Sequence, residues 1–142
     1  MGAPPFGSAA GPSVTVVVTV LRDPRVARTL ESLLTQDLPP TEILVDDGGI
    51  TDTVRRIAEE FHRRDARVVH LDAPGNIPES RNAALRRAGG EFIAFLDADE
   101  IAPPGWLREL LEPFHEPRVG FVGGPTPGLA ESLRSVGARY YD

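Results

Sequence analysis

The sequence of 142 residues contains no cysteine and no lysine, so all of its 15 basic side chains other than histidine are arginines. Without cysteine, the chain has no disulfide, no thiolate zinc site and no thiol nucleophile. Without lysine, it has neither the lysine of a P-loop nor a lysine that forms a Schiff base with a substrate. These two absences exclude several common classes of enzyme and metal protein.

Long apolar runs and a positive net charge are also absent. No stretch is apolar enough to span a membrane, and residues 1–13 lack the basic start and apolar centre of a signal peptide. Their Gly, Pro, Ala and Ser content predicts a flexible tail. We therefore expect a cytoplasmic protein. The formal net charge of −6 argues against nucleic acid or an anionic membrane as a partner, because both require a basic surface.

The rest of the chain alternates between predicted strands and predicted helices. The predicted strands are residues 13–21, 42–46, 67–72, 91–97 and 118–124. The predicted helices start at Asp23 and Pro24, at Thr51 or Asp52, at Ser80, and at Pro103 and Pro104. The third of these helices is predicted to end on a glycine at residue 90. Such alternation with short loops predicts an α/β fold, with a mainly parallel sheet and helices on both faces.

Five aspartates follow predicted strands, at Asp46, Asp47, Asp72, Asp97 and Asp99. Ligands of parallel sheets bind at the carboxyl ends of the strands, so we expect these acids to crowd along one edge. A lone aspartate after a strand is usually a helix cap or a turn former, and Asp72 fits that interpretation. Crowded carboxylates repel one another. A divalent cation bound by their oxygens would relieve this repulsion.

Three segments then resemble the nucleotide-sugar-dependent glycosyltransferases of family 2, which have the GT-A fold. The segments are "EILVDDGGITD", "GNIPESRNAALRRAGGEFIAFLDADE" and "IAPPGWLRELLEPF". The second ends in an Asp-X-Asp motif, which alone would be a weak signal, but the ordered set is specific. The resemblance extends from about Val14 to Gly124. It implies a Rossmann-like GT-A domain over residues 14–124, preceded by the tail and followed by a short C-terminal segment, residues 125–142, as a truncated acceptor region.

The resemblance also assigns roles to five residues. Thr19, at the end of the first strand, would line the nucleoside pocket. Asp47 would accept a hydrogen bond from the base, and Arg81 would lie near the base and phosphates, where a fixed cation suits an anionic donor. Asp97 would face the ribose or metal-bound water. Asp99 would bind Mn²⁺ or Mg²⁺. Asp97 and Asp99 are therefore both candidate metal ligands.

The implied reaction transfers a sugar from a nucleoside diphosphate, with UDP the expected nucleotide, to a hydroxyl of a glycan, lipid or small-molecule acceptor. The configuration of the sugar would invert, and a carboxylate would take the acceptor's proton. The resemblance leaves the catalytic base unassigned, because Glu131 and Asp142, the only acids of the C-terminal segment, lie in no recognisable base motif. A homo-oligomer or a partner domain would then complete the site.

The sequence also departs from the family pattern. The first strand continues as "VTVLRDP", without the family's tyrosine, which affects the pocket around Val20 and Leu21. Two alternatives therefore stay open. One is a binding module that retains the nucleotide pocket without catalysis. The other is a receiver domain or an Asp-based phosphatase, although receivers use a lysine and such phosphatases place their nucleophile on the first strand.

Overall fold

The computed structural model describes residues 11–124, and these contain a four-stranded parallel sheet in the order β3-β2-β1-β4. The strands are β1 (Val14–Val20), β2 (Glu42–Asp47), β3 (Val68–Asp72) and β4 (Phe92–Asp97). Each pair of neighbouring strands is parallel. The predicted α/β class and four of the five predicted strands are therefore confirmed.

The central strand β1 explains why the sheet forms here. All seven of its residues, VTVVVTV, are buried, and β-branched side chains pack well on a pleated surface covered on both sides. Because side chains alternate along a strand, Thr15, Val17 and Thr19 share one face of the sheet. The valines on either side of them lie on the opposite face. Thr19 is thus carried to the carboxyl end of the strand, opposite Asp97 of β4.

The helices are α1 (Val26–Leu34), α2 (Asp52–Arg64), α3 (Ile77–Arg87) and α4 (Trp106–Leu111), and a 3₁₀ turn follows at Glu112–His115. The predicted cap of α2 is confirmed, since the side chain of Thr51 accepts a hydrogen bond from the amide of Val54. The predicted start of α1 is two residues too early. Asp23 instead accepts a hydrogen bond from the amide of Arg25, which makes a turn ahead of the helix.

The boundaries of α3 also differ from the prediction. The helix starts at Ile77 and not at Ser80, because Asn76 and Glu79 form a reciprocal capping box at its N-terminus. Its C-cap is Ala88 in an extended conformation and not a glycine. Gly90 is required for packing, since a Cβ at this position would lie 2.5 Å from the backbone nitrogen of Thr15. Gly90 therefore lets the chain pass close to β1.

The fifth predicted strand is wrong. Residues 118–124 form no strand, and the amide of Val119 donates to the carbonyl of Glu116 in a turn. Phe121 is 87 % exposed. An apolar alternation of this length does not form a strand without a neighbouring strand to pair with. Three glycines in these seven residues weaken the strand tendency further.

Contacts divide the chain into one unit over residues 1–108 and a second over residues 109–142. The sheet and the first three helices belong to the first unit. The predicted tail falls largely on residues 1–10, and the predicted C-terminal segment on residues 125–142; both lie outside the described residues. Within residues 11–124, no helix has the length and apolar character needed to cross a membrane.

Candidate functional site

A cleft of about 360 Å³ opens at the carboxyl ends of β1 and β4. We call it the strand-end cleft. It is lined by Thr19, Leu21, Asp23, Ile77, Arg81, Asp97, Ala98 and Asp99. The sheet therefore brings together four of the five residues predicted from the sequence, at the edge where parallel sheets bind ligands. The fifth predicted residue, Asp47, is not among them.

Arg81, a residue of α3, lines the strand-end cleft. Its Nε donates to the hydroxyl of Thr19 at 3.0 Å, and its Nη2 donates to Oδ1 of Asp97 at 2.8 Å. The guanidinium also lies 5.5 Å from the ring centroid of Phe95, within the range of a cation–π contact. Three contacts hold the guanidinium in place while more than a third of the side chain is exposed. A fixed, accessible cation of this kind suits a phosphate ligand.

Asp97 and Asp99 are the exposed acids of the cleft, with 57 % and 50 % of their side chains accessible. Asp97 pairs with Arg81, whereas among residues 11–124 the ion pair of Asp99 is a long contact of 3.9 Å with Arg25. No group of three histidines, acids or cysteines within residues 11–124 is arranged to hold a metal ion. Two carboxylates nevertheless fit Mg²⁺ or Mn²⁺ bound together with phosphate oxygens and water, the usual arrangement for Mg²⁺.

Glu100 extends the acidic character of the cleft rim. Its Oε2 accepts a hydrogen bond from the amide of Asp97 at 3.3 Å. Burial raises the pKa of Glu100 above its ordinary value, and the charges of Asp97 and Asp99 raise it further. The electrostatic crowding expected from the sequence is therefore present, but it is confined to the end of β4 and the loop that follows.

Asp47 lies one strand away from the cleft wall, opposite Val20 in the sheet register. Its side chain is fully buried. Oδ1 accepts hydrogen bonds from the amides of Gly49 and Ile50, at 3.1 and 2.8 Å, and Oδ2 lies 3.0 Å from Nε2 of His70. The carboxylate thus closes the turn after β2 and pairs with a histidine of β3.

Asp46 is a polar residue of the site to which the sequence argument gave no role of its own. Its side chain is fully buried. Oδ2 accepts a hydrogen bond from the hydroxyl of Ser80 at 3.0 Å, and Oδ1 has no partner within the described part of the chain. Burial raises the pKa of Asp46 to about 6, although the neighbouring hydroxyls of Ser80 and Thr19 lower it in part. A buried carboxylate therefore lies directly behind Thr19 and Arg81.

The five strand-end aspartates do not form the single cluster that we expected. Alternation along β2 turns Asp46 toward α3 and Asp47 toward the opposite face of the sheet, and each has its own partners. Asp72, interpreted from sequence as a cap, accepts a hydrogen bond from Arg55 at 2.9 Å and lies 3.7 Å from Nδ1 of His70. The period-2 rule could have separated Asp46 from Asp47, and the polar His70 in a partly buried strand was a second available signal.

The family model "Glycosyl transferase family 2" matches residues 15–136 of the chain. The chain belongs to this family. Among curated relatives, an uncharacterized glycosyltransferase of Bacillus subtilis, EpsJ, is 31 % identical over 115 residues, which is 79 % of this chain and 33 % of that protein. The chain spans about a third or less of the length of the curated relatives it matches first.

Two solved structures of glycosyltransferases are also similar. The mannosyltransferase PcManGT of Pyrobaculum calidifontis, in complex with GDP-Man and Mn²⁺, has a TM-score of 0.57 and 26 % identity, covering 65 % of this chain and 29 % of that one. TarS of S. aureus in complex with UDP has a TM-score of 0.58 and 28 % identity, covering 71 % and 32 %. The neighbours confirm the Rossmann-like GT-A fold expected for this family 2 chain.

Proposed function

We propose that this chain forms the donor-binding part of a metal-dependent, inverting glycosyltransferase that uses a nucleoside-diphosphate sugar, with UDP as the nucleotide. The observation that carries the proposal is the strand-end cleft. It combines a fixed guanidinium, Arg81, with two exposed carboxylates, Asp97 and Asp99, in a chain of family 2. One cation for the phosphates and two acids for a divalent ion form the minimal set of groups that a nucleoside diphosphate requires.

Each residue then has a distinct task. Arg81 contacts the phosphates or the base and is oriented by Thr19 and Asp97. Thr19 lines the nucleoside pocket, and Asp97 faces the ribose or metal-bound water. Asp47 accepts a hydrogen bond from the base of the donor. These roles are supported by the family motifs that contain Asp47, Arg81 and Asp97. The strand-end cleft, which Thr19, Arg81 and Asp97 share, also supports them.

Mn²⁺ or Mg²⁺ is the expected cofactor, with Asp99 as its main protein ligand and Asp97 beside it. When bound, such an ion acts as a Lewis acid that neutralises the charge on the departing diphosphate. Because two exposed carboxylates line the cleft in the part of the chain that the structure describes, we expect tight metal binding only when the diphosphate is also present. The PcManGT and TarS complexes, with GDP-Man and Mn²⁺ and with UDP, support ligands of this class.

The chemical step is a displacement at the anomeric carbon of the sugar. The acceptor oxygen forms a bond to this carbon on the face opposite the diphosphate, and the bond from carbon to the diphosphate oxygen breaks. The acceptor's proton passes to a carboxylate base, which is worth roughly 10²–10⁴ in rate. Asp23 and Asp97 each pair with an arginine, which suits binding better than proton abstraction. The acceptor in this proposal is a glycan, a lipid or a small molecule. A partner domain or a second copy of the chain would complete the site.

Thermal shift with a panel of nucleotides tests the proposal. UDP, GDP, CDP and ADP are each added with Mn²⁺, with Mg²⁺ or with a chelator. UDP at about a hundred times its dissociation constant should stabilise the fold by roughly 2.7 kcal/mol, and only when a divalent ion is present. The proposal fails if no diphosphate raises the melting temperature with either metal.

A further inference from the structure

His70 is a partly buried, polar residue of β3 to which the proposed donor site gives no role. Its Nε2 lies 3.0 Å from Oδ2 of Asp47, and only 13 % of its side chain is exposed. An ionised carboxylate only accepts hydrogen bonds, so Nε2 carries the hydrogen of this contact. His70 is therefore a donor to a carboxylate that is completely buried.

The hydrogen bonds of Asp47 leave one of its acceptor positions unused. A carboxylate has about four lone-pair positions. Two backbone amides, those of Gly49 and Ile50, occupy Oδ1, and His70 occupies one position on Oδ2. A single acceptor position on Oδ2 remains. The direction of this position depends on how the carboxylate is rotated. The two amides hold the carboxylate through Oδ1, and His70 holds it through Oδ2.

The surroundings of His70 keep its ring in one orientation. Nδ1 faces Asp72 at 3.7 Å, and Asp72 is itself held by Arg55 of α2. On the side of α2, His70 borders a shallow cleft that also contains Glu59, His62 and Arg63. With Nε2 protonated, the ring donates to Asp47 whether or not Nδ1 also carries a proton. The contact therefore does not require His70 to be charged.

We propose that His70 is a positioning residue of the donor site, which holds the buried Asp47 carboxylate so that its remaining lone pair accepts an N–H from the base of the donor. The inference rests on the proposed function. It extends that function by assigning base selection to a pair, His70 and Asp47, that joins β3 to β2. A uracil-type base, which presents an imide N–H, is favoured over a cytosine-type base, whose corresponding ring nitrogen is an acceptor.

The test compares His70→Leu with His70→Gln. Leucine removes the donor, whereas the glutamine amide offers a non-titrating N–H near the position of Nε2. Isothermal titration in Mn²⁺ measures the affinities of UDP, CDP and inorganic pyrophosphate, a probe that has no base. We expect His70→Leu to weaken UDP about tenfold or more and to reduce the preference for UDP over CDP. Pyrophosphate binding should be unchanged, and His70→Gln should restore most of the UDP affinity.

A matched control and a double variant separate positioning from simple stabilisation. His62 lines the same cleft beside α2 as His70, but its Nδ1 contacts the carbonyl of Val68. His62→Leu should therefore leave the ratio of UDP affinity to CDP affinity unchanged. If His70 acts through Asp47, then adding His70→Leu to Asp47→Asn should cause little further loss, because the two effects are coupled.

Several outcomes would overturn the inference. They are unchanged UDP affinity in His70→Leu, equal losses for UDP and pyrophosphate, and full additivity with Asp47→Asn. Failure of the wild-type protein to bind UDP in the presence of metal would instead reject the proposed function itself. A lower melting temperature of His70→Leu with intact UDP to CDP selectivity would also count against positioning, because it would show that His70 only stabilises the fold.

Discussion

Replacing Asp46 by asparagine should change how the stability of the protein depends on pH. The carboxylate is fully buried, has one side-chain hydrogen bond from Ser80, and leaves Oδ1 without a partner in the described part of the chain. Burial raises its pKa from 3.8 to about 6. The folded state therefore holds the proton of Asp46 more tightly than the unfolded state does.

The sign of the effect follows from this difference. Between pH 4 and pH 6 the folded protein binds more protons at this site than the unfolded chain, so stability falls as pH rises. One pKa unit corresponds to about 1.4 kcal/mol, so a shift of about two units removes roughly 3 kcal/mol between acid and neutral pH. Asparagine carries no charge in this range, and this loss should be absent from the variant.

Urea unfolding at pH 4 to pH 7.5 measures the effect. The amide introduced by Asp46→Asn does not titrate, so any hydrogen bond that it leaves unmade shifts the stability of the variant by the same amount at every pH. The quantity to compare is thus the difference in unfolding free energy between wild type and Asp46→Asn. It should move in favour of the variant by about 2–2.5 kcal/mol from pH 4 to pH 7.5, because the unfolded carboxyl is already partly ionised at pH 4. Glu60→Gln, at an exposed position of α2, is the control, and parallel curves for Asp46→Asn and wild type would refute the reasoning.

Three further variants test the site and its support. Ser80→Ala removes the hydroxyl that donates to Asp46 and should destabilise the protein at pH 7 by about 1–3 kcal/mol, with a smaller loss at pH 4, as measured by urea unfolding. Arg81→Lys keeps the charge but loses the planar fork, so calorimetry should show weaker UDP binding, and unchanged affinity would contradict its role. Gly90→Ala places a Cβ 2.5 Å from the backbone of Thr15 and should lower stability by about 1–3 kcal/mol; an unchanged melting temperature would show that this approach can relax.

The strands of the sheet were predictable from the sequence because their signals are local. The run VTVVVTV is β-branched and apolar throughout, which is typical of a central parallel strand. The location of the cleft at the carboxyl ends of the strands followed from the general rule for ligand sites in parallel sheets. Both inferences needed only chain order and residue type.

The errors occurred where tertiary contacts or competing local bonds decide the structure. The capping box of Asn76 and Glu79 starts α3 ahead of Ser80, although the preceding glycine and the proline at position 78 favour a loop. The predicted strand at residues 118–124 depended on a pairing partner that local sequence does not specify. Alternation along β2 places Asp46 and Asp47 on opposite faces, but the partners that each one meets depend on which elements cover each face of the sheet.

The central claim is that Asp99 and Asp97 bind a divalent ion together with a nucleoside diphosphate in the strand-end cleft. The most direct test is isothermal titration of UDP into wild type and Asp99→Ala, each with Mn²⁺ and with a chelator. Because Asp99 is half exposed and makes one long ion pair within the described part of the chain, the variant should keep its melting temperature without ligand. We predict that Mn²⁺ increases UDP affinity in the wild type and has no effect in Asp99→Ala. An equal gain from Mn²⁺ in both proteins would contradict the account.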